Sequence, residues 1–384
     1  MLKAIIKEFN SNLGFRLSES TNKPLLKPRW VYVSLSHKCN LNCQMCGVRK
    51  ILKGQELDFN LLKSIFKEIS QWGSDSSIVL TGGEPFLRQD IFDIIGYAAS
   101  CGLNVELVTN GSLIQDYASA ERIIHSGLKN IAVSLDGACA KTHDYIRGTA
   151  GSYDKAVGAL KLLCQAKKKI AGGPQISSWV TIMKENVREL YDIIPLAEEI
   201  GLECLVYHPV VVNQDDMQNT IKAGRFWLNK ADIGILKHNI KRIVAYQKKN
   251  NFVHFLHDPY LWADYFSGTL TKERWRCNPF VFIDIGPDGY VRSCGPAFGN
   301  VKEMSLSECL DTKEAQMARE RMRLCRKPCL QTCWAKPEAD SMDNIINSFF
   351  SSIESFPASD KIQAMEEALA SLCEYKGMVQ ELHS

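Results

Sequence analysis

The chain has 384 residues, which is enough for a barrel of more than about 200 residues and a second, smaller unit. Hydrophobic residues make up 45% of it, so a substantial core can form without disulfides. The formal charge is only +3, from 46 basic and 43 acidic residues without a long block of one sign, which argues against a dedicated nucleic-acid surface. No stretch reaches the roughly 18 uninterrupted apolar residues of a membrane span.

Fourteen cysteines are the unusual feature of the composition. The N-terminal residues MLKAIIKEFN contain only a short apolar run before charge returns, which does not predict a signal peptide, and we expect a cytoplasmic protein. In that reducing compartment, metal ligation is a better interpretation of clustered cysteines than disulfides. The positions of the cysteines support metal ligation, because three of them fall in the segment from Cys39 to Cys46 and five in the segment from Cys277 to Cys333.

Residues 1–29 form a lead-in with a short predicted helix, and from Trp30 apolar runs rich in β-branched residues alternate with amphipathic stretches. The predicted helices lie at about 58–72, 89–101, 113–126, 152–168 and 187–200. Gly102, Gly127 and Gly201 stand where helices should end, because glycine readily takes the left-handed conformation. Six strand–helix units in a row predict a parallel sheet with right-handed crossovers. The predicted strands are Trp30 to Ser36, Ser77 to Thr81, Asn104 to Thr109, Asn130 to Leu135, Ser177 to Met183 and Glu203 to His208.

The first strand leads into a loop, Ser36 to Arg49, in which Cys39, Cys43 and Cys46 are spaced by three and then two residues. Three thiolates on one short loop can bind three irons of a four-iron, four-sulfur cluster. The fourth iron then stays open, since only His37 is nearby as another protein ligand. The alternative is structural zinc, but closed zinc sites usually take four ligands, commonly in C-x2-4-C pairs. The spacing therefore favours an iron–sulfur cluster.

The second strand ends in TGGEP, at the edge where the loops of a parallel barrel converge on one mouth. Gly82 and Gly83 let the backbone approach a ligand closely and turn its carbonyls toward an ammonium group, and Glu84 adds negative charge nearby. Taken by itself, the motif is explained equally well as a turn that ends the strand. Its place at the end of the strand that follows the cysteine loop favours a ligand site.

The fourth strand ends in VSLDG, which places Ser134 and Asp136 two residues apart and hence on one face. Downstream, HDYIRG contains Arg147, whose guanidinium fork suits a carboxylate ligand. A surface salt bridge before the helix at Ser152 is the alternative for this arginine. The end of the third strand, Thr109 to Gly111, is expected at the same mouth.

The strand–helix rhythm breaks after Pro209. We interpret residues 211–275 as a helical bridge or lid, and residues 276–336 as a small α+β module. In that module Phe280 to Ile285 and Tyr290 to Ser293 flank Gly-Pro-Asp-Gly, which is a strong hairpin signal. The remaining residues, 337–384, form a tail of two amphipathic helices, which we expect to pack on the barrel or on a partner.

The CxxxCxxC loop after the first strand resembles the signature of the radical S-adenosylmethionine (radical SAM) superfamily. The resemblance implies a partial (β/α)6 TIM-like barrel, over residues 30–210, that holds a 4Fe–4S cluster and S-adenosylmethionine. In this family the GGE motif holds the methionyl amine, and Met45 stands where an aromatic residue often packs on the adenine; a thioether can also pack on a flat ring. The cofactor-binding residues carried over are Met45, Gly82, Gly83, Glu84, Ser134, Asp136 and Arg147.

The C-terminal cysteines resemble the SPASM or twitch modules attached to many radical SAM enzymes. The first part of that pattern is present as Cys277, Gly289 and Cys294. After it, the chain has C-x3-C-x3-C where a full SPASM module has a longer series of cysteines, so the shorter twitch type with one auxiliary 4Fe–4S cluster fits better. We expect Cys277 and Cys294 to be joined by Cys329 and Cys333, with Cys325 as the competing ligand. Structural zinc is the alternative, because a hairpin plus a knuckle is also a zinc-ribbon plan.

The resemblance implies an oxidoreductase-type enzyme in which an external donor of the flavodoxin or ferredoxin type reduces the cluster. S-adenosylmethionine is then cleaved to a 5′-deoxyadenosyl radical, which abstracts hydrogen from an unidentified organic or peptide substrate. An auxiliary cluster poised to accept the substrate's electron favours net oxidation. The alternatives are a redox-neutral reaction (epimerisation, rearrangement or adenosyl addition) and a non-enzymatic iron–sulfur or zinc protein. Epimerisation would need a nearby thiol donor, for which Cys204 is the candidate. We expect no nucleic-acid and no membrane partner.

Overall fold

The computed structural model describes residues 2–47, 55–72, 76–170, 172–211, 225–255, 258–271, 273–325, 329–330, 334–335 and 342–381. The strands are Trp30–Ser34 (β1), Ser77–Thr81 (β2), Asn104–Thr109 (β3), Asn130–Ser134 (β4), Gln175–Ile182 (β5), Cys204–Pro209 (β6), Val253–Phe255 (β7), Arg276–Cys277 (β8), Phe282–Ile285 (β9), Tyr290–Arg292 (β10), Gly299–Asn300 (β11) and Trp334–Ala335 (β12). The helices are Leu2–Thr21 (α1), Phe59–Ser70 (α2), Ile91–Ser100 (α3), Tyr117–Ile124 (α4), Ala140–Arg147 (α5), Ser152–Lys168 (α6), Ile193–Ile200 (α7), Lys230–Asn250 (α8), Leu261–Ser267 (α9), Leu306–Asp311 (α10), Lys313–Leu324 (α11), Met342–Ile353 (α12) and Ala358–Glu381 (α13).

Within the described residues, ten strands form one sheet in the order β11-β10-β9-β1-β2-β3-β4-β5-β6-β7. Strands β1 to β6 pair in chain order and in parallel, and helices connect them. The predicted fold class, a partial barrel of strand–helix units, is confirmed. The carboxyl ends of these strands therefore lie at one edge, as the sequence motifs require.

Local sequence explains where the barrel helices begin and end. Asp58 caps α2 by accepting hydrogen bonds from the backbone of the first turn, and the buried residues of α2 recur at helical spacing. Gly102, Gly127 and Gly201 have φ values of 77°, 95° and 87°, which is the left-handed conformation predicted for them. The apolar stripes of α2, α3, α4, α6 and α7 join the strands in a single core.

Both edges of the six-stranded sheet are extended by segments outside the predicted barrel. On one side β7, from the segment interpreted as a bridge or lid, pairs in parallel with β6. On the other side β9, the first strand of the predicted hairpin, pairs in parallel with β1, with Trp30 level with Phe282. The hairpin partner β10 is antiparallel to β9, as Gly-Pro-Asp-Gly predicts. The cysteine-bearing C-terminal module is thus continuous with the barrel sheet.

The two ends of the chain meet in a unit of three helices, α1, α12 and α13. Helix α1 is longer than the short helix predicted for the lead-in, and the C-terminal helices pack on it rather than on the barrel core. Leu13 is fully buried here, Phe9 and Phe349 stack with ring centroids 4.6 Å apart, and the Tyr375 hydroxyl donates to the carbonyl of Asn10 over 3.3 Å. This unit has its own apolar core, separate from that of the barrel.

We expect Leu13→Ala to destabilise the three-helix unit by about 2–5 kcal/mol, because it leaves a cavity in a small core. Hydrogen exchange of backbone amides should accelerate in α1, α12 and α13 and stay unchanged in the barrel strands. Leu369→Ala is the matched control, since Leu369 lies on α13 with 59% of its surface exposed. Equal acceleration in the barrel strands would contradict a separate core.

Candidate cofactor and cluster site

The cysteine loop leaves β1 at the carboxyl edge of the sheet. The backbone NH of Cys46 donates to the carbonyl of Cys43 over 3.3 Å, which keeps the end of the loop tight. The thiols of Cys39, Cys43 and Cys46 line one cavity of about 760 Å³. Of the residues predicted to bind the cofactor, five line the same cavity: Met45, Gly82, Gly83, Ser134 and Arg147.

The two glycines of the TGGEP motif lie directly against the cysteine loop. The NH of Gly83 donates to the carbonyl of Ser36 over 2.7 Å, and the NH of Glu84 donates to the carbonyl of Lys38 over 2.8 Å. A Cβ at Gly83 would lie 2.0 Å from that Lys38 oxygen, and Gly82 has a φ of +125°. Glycine is therefore required here for contact between two backbone segments, in addition to any approach of a ligand.

Glu84 is buried and does not line the cavity. Its carboxylate accepts hydrogen bonds from the Thr109 hydroxyl over 2.7 Å, from the NH of Asn110 over 2.8 Å and from the NH of Phe86 over 3.1 Å. Burial raises the pKa of Glu84, although these three donors favour the ionised form. The side chain thus holds the glycine turn against the end of β3.

A second connection between the cysteine loop and β3 was missed at the sequence level. The Asn110 side-chain amide donates to Asn40 Oδ1 over 2.9 Å, and the Asn40 amide donates to the Ser112 hydroxyl over 2.8 Å. Asn40 stands directly after the first cysteine of the motif. The only feature of the sequence that could have predicted this connection is that a polar residue stands at position 40.

Asp136 and Arg147 pair with each other beneath the cysteine loop. Arg147 Nη2 lies 2.6 Å from Asp136 Oδ2, and the other Asp136 oxygen accepts from the NH of Thr181 over 2.8 Å. The Asp136 side chain is fully buried and does not line the cavity, whereas Arg147 lines it and places Nη1 3.9 Å from Cys43 Sγ. The negative charges of Asp136 and Cys43 raise the pKa of Arg147 against the cost of burial. The buried Arg147 is thus paired with Asp136 on one side and lies against the thiol of Cys43 on the other.

Helix α5 positions this pair. His143, on α5, accepts from the NH of Asp136 over 3.2 Å through Nδ1, and burial lowers the pKa of its ring to about 4, so the ring is neutral. The helix ends at Gly148 in the left-handed conformation, where a Cβ would lie 2.1 Å from the carbonyl oxygen of Asn42. The NH of Gln44 donates to the carbonyl of Ile146 over 2.8 Å. The C-terminus of α5 is therefore docked on the cysteine loop.

The second group of cysteines lies on the other side of the glycine turn. Cys277, Cys294 and Cys325 line a cavity of about 1060 Å³, which shares His37, Thr81 and Gly82 with the first cavity. Cys329 is buried and lines neither cavity, and Cys333 lies outside the described residues. The fold thus brings Cys325, predicted as the competing ligand, to the same cavity as Cys277 and Cys294. Which thiols complete the set stays a prediction.

Among the described residues, no group of three or more His, Cys, Asp or Glu side chains surrounds a position for a single metal ion. None of the helices among those residues is both long enough and apolar enough to cross a bilayer.

Comparison with known families matches residues 33–216 to the Radical SAM superfamily and residues 277–335 to SPASM, an iron–sulfur cluster-binding domain. The chain belongs to the radical SAM superfamily. The first match runs from the end of β1 through β6 and includes the cysteine loop, and the second begins at Cys277. The predicted family and a SPASM-type module at the C-terminus are confirmed, whereas the preference for the shorter twitch type with one auxiliary cluster stays a prediction.

Two curated relatives show the range of this superfamily. An AdoMet-dependent heme synthase of Methanosarcina barkeri is 33% identical over 183 residues, which is 47% of this chain and 50% of the relative. Mycofactocin maturase MftC of Mycobacterium tuberculosis is 33% identical over 187 residues, 48% of this chain and 46% of the relative. The chain thus spans about half the length of the curated relatives it matches.

Solved structures with the same fold share little sequence with this radical SAM protein. Streptococcus suis SuiB bound to the precursor peptide SuiA has a TM-score of 0.59 at 14% identity, covering 76% of this chain and 66% of SuiB. The enzyme anSMEcpe with bound AdoMet has a TM-score of 0.59 at 17% identity, covering 84% of this chain and 96% of anSMEcpe. At these identities the likeness establishes the fold.

Membership implies a 4Fe–4S cluster and S-adenosylmethionine in the barrel and additional iron–sulfur clusters in the SPASM module. The residues of the first cavity fit these groups. Burial raises the pKa of Cys39 and Cys43, so their thiolates need a positive partner, which a cluster supplies on binding. The Nε of Arg147 is buried without an acceptor among the described residues, which leaves a donor for a carboxylate at the cavity.

We expect Gly83→Ala to displace the cysteine loop from the glycine turn, because the new Cβ meets backbone, which yields less readily than a side chain. The variant should bind less iron on anaerobic reconstitution and should bind S-adenosylmethionine at least about tenfold more weakly. Gly96→Ala is the matched control, since a Cβ at Gly96 on α3 meets no atom within 4 Å. Wild-type iron content and affinity in the Gly83 variant would contradict this role.

His143 makes stability depend on pH. The ring has a pKa of about 4 in the folded protein and 6.5 in the unfolded chain, so the unfolded chain binds a proton more readily. The contribution of His143 to the free energy of unfolding is therefore fully present above pH 6.5 and is lost as the pH decreases toward 4. The full loss is about 3 kcal/mol. Urea unfolding from about pH 7 to about pH 5 should therefore show a smaller loss in His143→Asn than in wild type. His125→Asn, at an exposed position, should behave like wild type.

Proposed function

We propose that the protein cleaves S-adenosylmethionine reductively in the first cavity and abstracts hydrogen from an organic or peptide substrate bound in the second. The observation that carries this proposal is that two groups of cysteines line two cavities with a common wall, formed by His37, Thr81 and Gly82. A substrate in the second cavity would lie between the two groups. When bound, the reduced cluster and S-adenosylmethionine supply the adenosyl radical that attacks a substrate C–H bond.

The residues of the chain bind and orient in this proposal. Cys39, Cys43 and Cys46 would hold the radical cluster, and the backbone of Gly82 and Gly83 would bind the methionyl amine. Arg147, held by Asp136, would donate to the cofactor carboxylate through its remaining NH, and Ser134 and Met45 would contact the nucleoside. Asp136 and Glu84 would act through the groups they hold, because neither lines the cavity. The barrel and the module together would exclude water from a reactive intermediate.

Net oxidation is the outcome we propose, with an auxiliary cluster on Cys277, Cys294 and neighbouring thiols as the electron acceptor. A cluster on the substrate cavity could be poised to accept an electron, since protein iron–sulfur potentials span from about −700 to +450 mV. An external donor of the flavodoxin or ferredoxin type would start the reaction, in the cytoplasm. Among the redox-neutral alternatives, epimerisation is disfavoured, because its candidate thiol donor Cys204 is the first residue of β6, at the end opposite the mouth.

Peptides belong among the candidate substrates. SuiB, a structural neighbour, has been solved with a precursor peptide, and MftC, a relative, is a maturase. The heme synthases among the relatives support small organic substrates equally. Both groups are compatible with a second cavity of about 1060 Å³.

The test of the proposed function is anaerobic reconstitution with iron and sulfide, followed by dithionite and S-adenosylmethionine. We expect wild-type protein to form 5′-deoxyadenosine, and Cys43→Ala to form none, because a thiolate of the radical cluster is lost. Cys373→Ala, at an exposed position on α13, is the matched control and should retain the activity. If wild-type protein with its full complement of iron–sulfur clusters forms no 5′-deoxyadenosine, the proposed enzyme activity is wrong.

The auxiliary site has a separate readout. For two four-iron clusters we expect about eight irons per chain in wild type and about four in Cys294→Ala, since loss of one thiolate should prevent the second cluster from assembling. Elemental analysis for iron and zinc distinguishes the alternative. If Cys294→Ala keeps its iron and instead loses bound zinc, the C-terminal module holds zinc rather than a cluster.

A further inference from the structure

Two carboxylates that the cluster chemistry does not use, those of Asp284 and Asp288, line the second cavity, and only Asp284 is without an ion pair among the described residues. Asp284 lies on β9, level with Tyr32 of β1, and lines the cavity together with Cys277 and Cys294. Because β9 and β1 are parallel, Asp284 stands near the carboxyl edge of the sheet, as catalytic and binding side chains do in barrels. Nothing in the sequence pattern singles it out, since it occupies an interior position of a short hairpin strand.

Asp284 is a half-buried carboxylate with few partners. Its Oδ1 accepts from the Ser34 hydroxyl at 3.4 Å, which is a long hydrogen bond. The described part of the chain provides no ion pair to it. Burial raises the pKa of Asp284 to about 6, with Arg292 opposing the rise. Carboxylates withdrawn from water are normally paired, so this one has unused capacity for a donor.

The charged neighbours do not supply that donor. Arg292, the cross-strand partner of Asp284 on β10, forms an ion pair with Asp288 at 2.8 Å instead. The hairpin therefore carries two carboxylates, those of Asp284 and Asp288, beside the single guanidinium of Arg292. From the other elements around the cavity come His37, on the cysteine loop, and Arg321, on α11, whose side chain is exposed beside Gly295.

We propose that Asp284 is the counter-ion for a positively charged nitrogen group of the substrate, an ammonium or a guanidinium. The inference rests on the proposed function, which places the substrate in this cavity. A charged donor would shorten the bonding distances at Asp284 and relieve the excess negative charge of the hairpin, and such charge-assisted hydrogen bonds are about twice as strong as neutral ones. Asp284 would thereby fix the orientation of the substrate between the two groups of cysteines.

The probes are two pairs of small molecules that differ in charge and match in shape: methylguanidinium with N-methylurea, and n-butylammonium with n-butanol. Each is added at millimolar concentration to the anaerobically reconstituted protein, and the thermal unfolding midpoint is measured. We expect both cations to raise the midpoint, because a ligand that binds only the folded state stabilises it. The neutral partners should bind at least about tenfold more weakly.

Asp284→Asn separates this role from others. The variant should lose the response to both cations, keep the wild-type iron content, and unfold without probe at the same or a higher temperature, because it removes a half-buried carboxylate that forms no ion pair with the described residues. Glu106→Gln is the matched control, since Glu106 is a half-buried carboxylate on β3 that lines neither cavity. That variant should respond to cations as wild type does.

Three results would overturn the proposal. Equal responses to cations and to their neutral partners would remove the role of charge. Loss of iron in Asp284→Asn would make Asp284 a cluster ligand, and a lower midpoint in that variant would make it a structural residue. The formation of 5′-deoxyadenosine by wild type is measured separately, so failure of the proposed function is distinguishable from failure of the role of Asp284.

Discussion

The close contact between the Gly82–Gly83 turn and the cysteine loop is the constraint on which the rest of the site depends. The two backbones are joined by hydrogen bonds of 2.7 and 2.8 Å and approach so closely that no side chain fits at Gly83. One turn therefore sets the position of the three thiols and also forms part of the wall between the two cavities. A displacement here would change both cavities at once, because they share this segment.

The loop is held from two further sides by groups that do not reach the cavity. Glu84 connects the glycine turn to β3, and Asp136 holds Arg147 under Cys43. Burial of a carboxylate is costly unless donors surround it. The Glu84 carboxylate accepts from two backbone NH groups and the Thr109 hydroxyl, and the Asp136 carboxylate accepts from one backbone NH and pairs with Arg147. The two buried carboxylates thus hold in place groups that line the first cavity, namely the glycine turn and Arg147.

The parallel pairing of β9 with β1 joins the C-terminal module to the barrel. Because the sheet continues through this contact, the hairpin cysteines and Asp284 come to the carboxyl edge beside the radical SAM loop. The second group of cysteines thereby lines a cavity that shares a wall with the cavity of the first group. The three-helix unit at the chain ends lies outside this arrangement and has its own core.

The sequence by itself determined the family, the parallel strands, the helix-ending glycines and the two groups of cysteines, because each depends on short-range spacing and local backbone preference. Tertiary structure alone decided that β9 extends the barrel, that α1 packs on the C-terminal helices, that Cys325 joins Cys277 and Cys294 at one cavity, and that Asp136 and Glu84 are buried supports. These features depend on pairing between segments far apart in the chain, where many partners satisfy the same local pattern. Only the packed fold selects among them, because it alone determines which strand edges, helix faces and charges are left to be paired.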